Sequence, residues 1–222
     1  TPALGYQPVW PRETLGQDEF GLKLTENTAD VWGRPSDTWT YNTGDKETVI
    51  EQAAAHTYTT AVSECDIAND LGLTKTTALE KAYIDGESQT LTSSDVTTNR
   101  YASINPLATT SYVGAQGRVT EVYDMGDAGL RLVEINTYLA QVDKVTAATT
   151  DKNGHTTDAT VDLQVFSGNP GANPTTYDMN GVVATGFSVG DYVLVQISNP
   201  NDKDNAKVQS IKAAPLTVGG KV

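Results

Sequence analysis

Apolar and polar positions along this chain alternate with a period of two far more often than they recur every three or four residues, which predicts strands rather than helices. The clearest case is Phe187–Ile197, where Val193, Val195 and Ile197 face one way. Gly117–Tyr123 and Thr160–Phe166 alternate in the same manner. Leu130–Val145 reads as one long strand whose alternation slips at Leu132-Val133, which predicts a bulge. Asp124–Gly129, Asp151–Gly154 and Asn199–Asn205 read as turns, and Lys207–Ile211 as a return strand. Gly168–Gly181 contains Pro170 and Pro174 and reads as a loop. Residues 113–222 therefore predict an all-β module, an antiparallel barrel or sandwich whose closure removes exposed edges.

The first half reads differently. Pro2, Pro8 and Pro11 make residues 1–30 an irregular segment, in which Glu19–Leu24 suits a short helical turn or a strand. Gly33-Arg34-Pro35 forces a turn that feeds a strand at Trp39-Thr40-Tyr41. Lys46–Ala55 is helix-permissive and Thr57–Val62 reads as a strand. Ser63–Gly72 carries the sharpest helical signal. Ser63 caps, Asp66 stands three residues on, Gly72 terminates, and Cys65, Ala68 and Leu71 share a face. Ala82–Ile84 then runs into an Asp85-Gly86 turn, with Gln89–Leu91 beyond it. Polar residues 96–112, broken by Asn105-Pro106, read as a linker or long loop. The expected chain is mainly β with a small α+β part. It comprises an irregular segment 1–30, a small α+β module 31–112 and an all-β module 113–222.

Composition adds to this reading. The 222 residues include 32 Thr, whose branched Cβ favours a pleated sheet. Lys plus Arg number 15 against 28 Asp plus Glu, a net charge of −13. Without clustered basic residues the chain is not expected to bind nucleic acid or an anionic membrane surface. No run of 18 apolar residues is present, so no membrane-spanning helix is expected. The start, Thr1–Trp10, lacks the basic and apolar regions of a signal peptide and begins with Thr, as expected of a processed or excised piece of a longer protein. One cysteine, Cys65, precludes an internal disulfide and reads as a small buried hydrophobe.

Candidate chemistry is sparse. The two histidines, His56 and His155, are too few and too widely placed to suggest a nucleophile–base constellation. No Gly-x-Ser-x-Gly elbow or His-Glu-x-x-His motif occurs. Carboxylates are plentiful, but no pair stands out for glycan or cell-wall hydrolysis. Calcium is the best small-ligand candidate. Asp202, Asp204 and Asn205 supply a dense oxygen-bearing turn, although Lys203 opposes a cation and the ordinary reading is a polar hairpin turn. Trp32 and Trp39 are candidate platforms for stacking on a sugar ring, with core packing as the ordinary alternative.

Six short motifs bear on family. They are Trp32-Gly33-Arg34-Pro35 with Trp39-Thr40-Tyr41, Thr57–Val62, Asp66–Leu73, Gly117–Tyr123, Ile135–Ala140 and Gly190–Val195. In these motifs and their order, from about residue 20 to 215, the chain resembles the extracellular regions of Clostridia (Firmicutes) cell-surface proteins that carry surface-layer homology (SLH) domains. The resemblance implies display on the cell envelope, with SLH repeats elsewhere in the full protein binding a wall polymer. No SLH repeat is found within these residues, so the resemblance carries over no binding or catalytic residue. The expectation is a non-catalytic structural module, extracellular and at the envelope surface, acting by self-association or contact with other envelope proteins. An adhesin binding a glycan or host protein is the alternative, and a hydrolase the third class.

Overall fold

The computed structural model describes residues 23–40, 46–50, 52–92, 100–109, 111–113, 117–167, 175–202 and 204–215. It is mainly β, with one α-helix. The strands before the helix are β1 (Lys23–Ala29), β2 (Pro35–Thr40), β3 (Lys46–Ile50), β4 (His56–Tyr58) and β5 (Val62–Ser63). Helix α1 (Glu64–Asp70) follows, then β6 (Thr77–Ile84), β7 (Glu87–Ser88), β8 (Leu91–Thr92), β9 (Arg100–Tyr101), β10 (Ser103–Ile104) and β11 (Ser111–Val113). The remaining strands are β12 (Arg118–Asp124), β13 (Leu130–Asn136), β14 (Tyr138–Thr146), β15 (Thr149–Thr150), β16 (Thr156–Thr157), β17 (Thr160–Ser167), β18 (Thr175–Val183), β19 (Tyr192–Ser198) and β20 (Lys207–Ala213).

Two larger sheets dominate. The first has the order β10-β6-β13-β12-β4, with β7 paired to β6, and it takes strands from both sides of residue 112. Its β13–β6 pair is parallel and its other pairs are antiparallel. The second is wholly antiparallel, has the order β18-β17-β14-β19-β20, and curls into a half-barrel. The chain passes between the sheets at Thr137, the single residue separating β13 from β14.

Helix α1 forms as the sequence predicts. The Ser63 hydroxyl accepts from the Asp66 N–H and the Asp66 carboxylate accepts from the Ser63 N–H, a reciprocal capping box. The helix buries Ile67 and Ala68 against Val122, Leu130, Leu132 and Ile104. The other face of the same sheet buries Val133, Ile135 and Tyr123 beneath Trp32. Strand β13 is thus covered on both sides. This explains the apparent slip at Leu132-Val133: both faces of the strand are buried, so apolar residues stand on each side and the two-residue period is lost, with Arg131 and Glu134 also inside. The long strand expected over Leu130–Val145 is in fact two, ending in one sheet and restarting in the other.

Other expectations are also corrected. Lys46–Ile50 of the helix-permissive stretch is a strand, because pairing along β2 outweighs local propensity. Residues 23–29, read as part of an irregular segment, form β1 against β2. In the expected linker, Ser103–Ile104 pairs with β6 and buries Ile104 completely. Of the expected Gly168–Gly181 loop, residues 168–174 lie outside the described residues, and the rest is not a loop. Residues 175–183 pair with β17 as β18, with the register shifted near Gly181, whose N–H is taken by the Asp162 carboxylate. The start of the chain through residue 22, including Trp10, lies outside the described residues.

The second sheet encloses Ala140, Val142, Val161, Leu163, Val165, Val193, Val195 and Ile197. Leu163 stands on β17 between β14 and β18 and is 1% exposed. Truncation there leaves a cavity that strands paired on both sides cannot close, so Leu163→Ala should cost about 2–5 kcal/mol. Urea unfolding should show a lower midpoint with an unchanged slope. A midpoint equal to wild type would contradict this packing.

Candidate functional site

A buried polar cluster lies where the two sheets meet. The β6–β7 hairpin turns at Asp85-Gly86, and Asp85 adopts φ 51°, a left-handed conformation that Asp tolerates better than most residues. Gly86 is required beside it, because a Cβ there would strike the Val31 carbonyl. Asp85 is 1% exposed. One of its carboxylate oxygens accepts from the Asn136 backbone N–H at 2.7 Å. The other accepts from the Asn136 side-chain amide at 2.7 Å and from the Tyr138 hydroxyl at 2.6 Å. The donors therefore stand on either side of Thr137, at the crossing between sheets.

The same hairpin also reaches the turn after β19. The Asn199 N–H donates to the Asp85 carbonyl at 2.7 Å. Asn201 donates its backbone N–H and its side-chain amide to the two Glu87 oxygens at 3.0 and 2.9 Å. Alongside, Arg118 bonds the Asn136 side-chain oxygen and pairs with buried Glu134 at 2.8 Å. The Tyr177 hydroxyl is buried nearby without a hydrogen-bond partner among the described residues.

Burial raises the Asp85 carboxyl above its ordinary value of 3.8, against the lowering pull of its bonds to Asn136 and Tyr138 and of the Arg118 charge. Burial, with Asp85 close by, pushes Tyr138 up strongly and Tyr177 up to about 12, so both remain neutral hydroxyls. The cluster can therefore hold a carboxylate in place. Its donors are already turned onto Asp85, and its second carboxylate, Glu134, is turned to Arg118.

A second network lies on the face covered by Trp32. Arg34 grips Glu121 through two bonds of 2.7 and 2.8 Å, and Tyr123 donates to the same carboxylate at 2.7 Å. Arg131 pairs with Glu80 at 2.9 Å, donates to the Gly33 carbonyl, and stands 5.9 Å from the Tyr83 ring. Gly33, at φ 95°, packs against that ring so closely that a Cβ would overlap it. These contacts fasten the Asp30–Arg34 turn across the sheet.

The candidates expected from sequence fall elsewhere. Trp32 is 7% exposed and packs on Tyr123, Val133 and Ile135, so its ring is a core residue and offers no open stacking platform. Trp39 lies on β2 opposite Leu24 and Glu47, and its side chain is outside the described residues. Asp202, Asp204 and Asn205 share the turn before β20. There the Asp202 carboxylate accepts from the Asp204 N–H and the Asn205 side-chain amide. These bonds use its oxygens to shape the turn. Among the described residues, no three His, Cys, Asp or Glu side chains converge as a metal site would need. The His56 ring lies tilted against Tyr58, with centroids 4.4 Å apart, and Asp70 is at 3.8 Å. His155 is in the exposed turn between β15 and β16. Cys65 is half-buried as a free thiol on α1. No described helix is long and apolar enough to cross a membrane.

Sequence reasoning identified Asp85 only as a turn residue and gave no role to Asn136, Tyr138 or Arg118. The available signal was an acidic residue in a left-handed turn position at the end of an apolar strand. Its partners are more than 30 residues away, and nothing local marks them.

No family model matches this chain. No curated protein and no solved structure matches it either.

The raised Asp85 carboxyl has a pH signature. The folded state binds this proton more tightly than the unfolded state, so the contribution of Asp85 to stability rises as pH falls through the folded pKa toward 3.8. Asp85→Asn keeps a residue that tolerates the left-handed turn but removes the titration. Wild type should therefore gain stability relative to Asp85→Asn between neutral pH and a pH below 3.8, read from paired urea midpoints. A difference that does not vary with pH would contradict the burial of this carboxylate.

Proposed function

We propose that this chain is a non-catalytic structural module of a secreted bacterial cell-surface protein of the surface-layer type, acting through self-association or display. The observation that supports this reading is how the buried carboxylates are used. Glu64 accepts the Asn105 N–H at 2.6 Å, Asp85 fastens the crossing between sheets, and Glu134 pairs with Arg118. Each joins one element to another, the arrangement expected of a scaffold whose value is shape. The acidic surface suits crowding at a cell exterior, where net charge opposes nonspecific association.

Fractionation of source cells tests the location, and imaging of the envelope tests the array. We expect the protein in the envelope fraction and a lattice or filament on the surface. Recovery wholly in the cytosol would remove the proposal. Sedimentation velocity on the purified chain tests self-association directly, with a weight-average mass that rises with concentration.

One observation favours a second reading, a module that binds a neutral glycan. The outer face of the half-barrel exposes Leu139 and Tyr192, with Phe166 stacked against Tyr192 at 6.5 Å and Gln141 opposite Tyr192 in register. An aromatic face beside an amide is suited to a sugar ring. Under this reading Tyr192→Ala should abolish binding on a panel of wall and host glycans while leaving the melting temperature near that of wild type. Absence of glycan binding by wild type would dismiss it.

A further inference from the structure

The half-barrel ends in two strands, β18 and β20, whose outer edges pair with no other strand among the described residues. Such edges are templates for another chain unless they are guarded. Each is interrupted at one point. The register of β18 shifts near Gly181, and that of β20 shifts between Val208 and Ser210. The regular stretches that remain are Thr175–Met179 and Ser210–Ala213, and these are level with each other across the sheet. Following register from strand to strand, Lys212 aligns with Leu194, Leu139, Phe166 and Thr176. Ala213 likewise aligns with Val193, Ala140, Val165 and Tyr177. Strand direction alternates across all five strands, so β18 and β20 run the same way. A straight continuation of the sheet therefore sets β20 of one copy beside β18 of the next, regular stretch against regular stretch.

Charge selects among the pairings. Strand β20 carries Lys207 and Lys212 and no acid, whereas β18 carries Asp178 and no base. Both Lys212 and Asp178 are exposed. A symmetric β20–β20 pairing brings lysines together, and a symmetric β18–β18 pairing brings aspartates together. Only the unlike pairing joins opposite charges, with Lys212 two residues offset from Asp178 and both on the outer face. Like charges across paired strands are unfavourable and unlike ones favourable.

We infer that β20 of one copy docks in parallel on β18 of the next, so that the half-barrel sheet continues from molecule to molecule. This rests on the self-association reading and specifies its interface. Because the two surfaces differ, the contact is heterologous. It closes into a ring or runs on as a filament, according to the rotation per copy.

The test uses the whole chain and its charge variants in sedimentation velocity at one fixed ionic strength. Wild type should associate. Lys212→Glu and Asp178→Lys should each weaken association by about tenfold or more, the effect of replacing one opposite-charge contact with a like-charge one. The double variant Lys212→Glu with Asp178→Lys should recover it, and circular dichroism should show all variants folded, as both positions are exposed. Wild type that stays monomeric overturns this interface and the self-association reading together. Association that persists unchanged in both single variants overturns the edge pairing alone. Stronger association of Lys212→Glu identifies the lysines as guards of a blocked edge and also overturns it.

Discussion

A carboxylate taken out of water must be met by donors or it takes up a proton. At Asp85 three donors meet it, and the arrangement of the molecule follows from where they stand. Asn136 ends the last strand of the first sheet and Tyr138 begins the first strand of the second. The chain between them is one residue long, so fastening both ends to Asp85 fixes the direction in which it leaves. The backbone carbonyl of Asp85 and the Glu87 side chain hold the turn after β19 as well, which gives the second sheet a further point of attachment. The hairpin tip is held in turn by the Val31 carbonyl against Gly86. Three segments far apart in sequence thus converge on three consecutive residues, Asp85, Gly86 and Glu87.

The first sheet obtains its rigidity differently. Strand β13 is buried on both faces, by α1 with Ile104 on one side and by the Trp32 turn on the other. A sheet covered by an apolar layer on each face leaves little room for charge, and Arg131 and Glu134 are admitted only as partners of Glu80 and Arg118. Buried ion pairs of this kind add little net stability, yet removing one partner is costly because it strands the other. Their effect is to fix which turn covers which strand.

This layering also explains what the sequence disclosed. Alternation located β12, β17 and β19, because one side of each is more protected than the other and the two-residue period survives. The capping box located α1, because Ser63, Asp66 and the turn at Gly72 are local signals. The pattern was ambiguous at β13, where double burial erases the period, and it misled at Lys46–Ile50 and Thr175–Gly181, where strand pairing decides. The polar cluster was the least legible part. Asp85 looks like any Asp-Gly turn, and only the tertiary fold brings Asn136 and Tyr138 to it. Core packing, the ordinary reading of Trp32 beside its turn, holds: the Arg34–Glu121 and Arg131–Gly33 bonds draw that turn down onto the sheet and bury the ring.

The contrast between inside and outside bears on assembly. Inside, the buried carboxylates are held by fixed donors. Outside, the net charge of −13 makes random contact between copies repulsive, and the repulsion is relieved only where basic residues gather. One such place is the β20 edge, with Lys207 and Lys212, on a chain that has only 15 basic residues. A repelling surface with an attractive strand edge would favour ordered association over aggregation, since a neighbour that arrives with its β18 edge forward meets opposite charge there. The clamp at Asp85 matters to such an arrangement. Sheets free to pivot at Thr137 would let the angle between successive molecules wander, whereas a crossing fixed by three hydrogen bonds to one buried carboxylate would hold it constant.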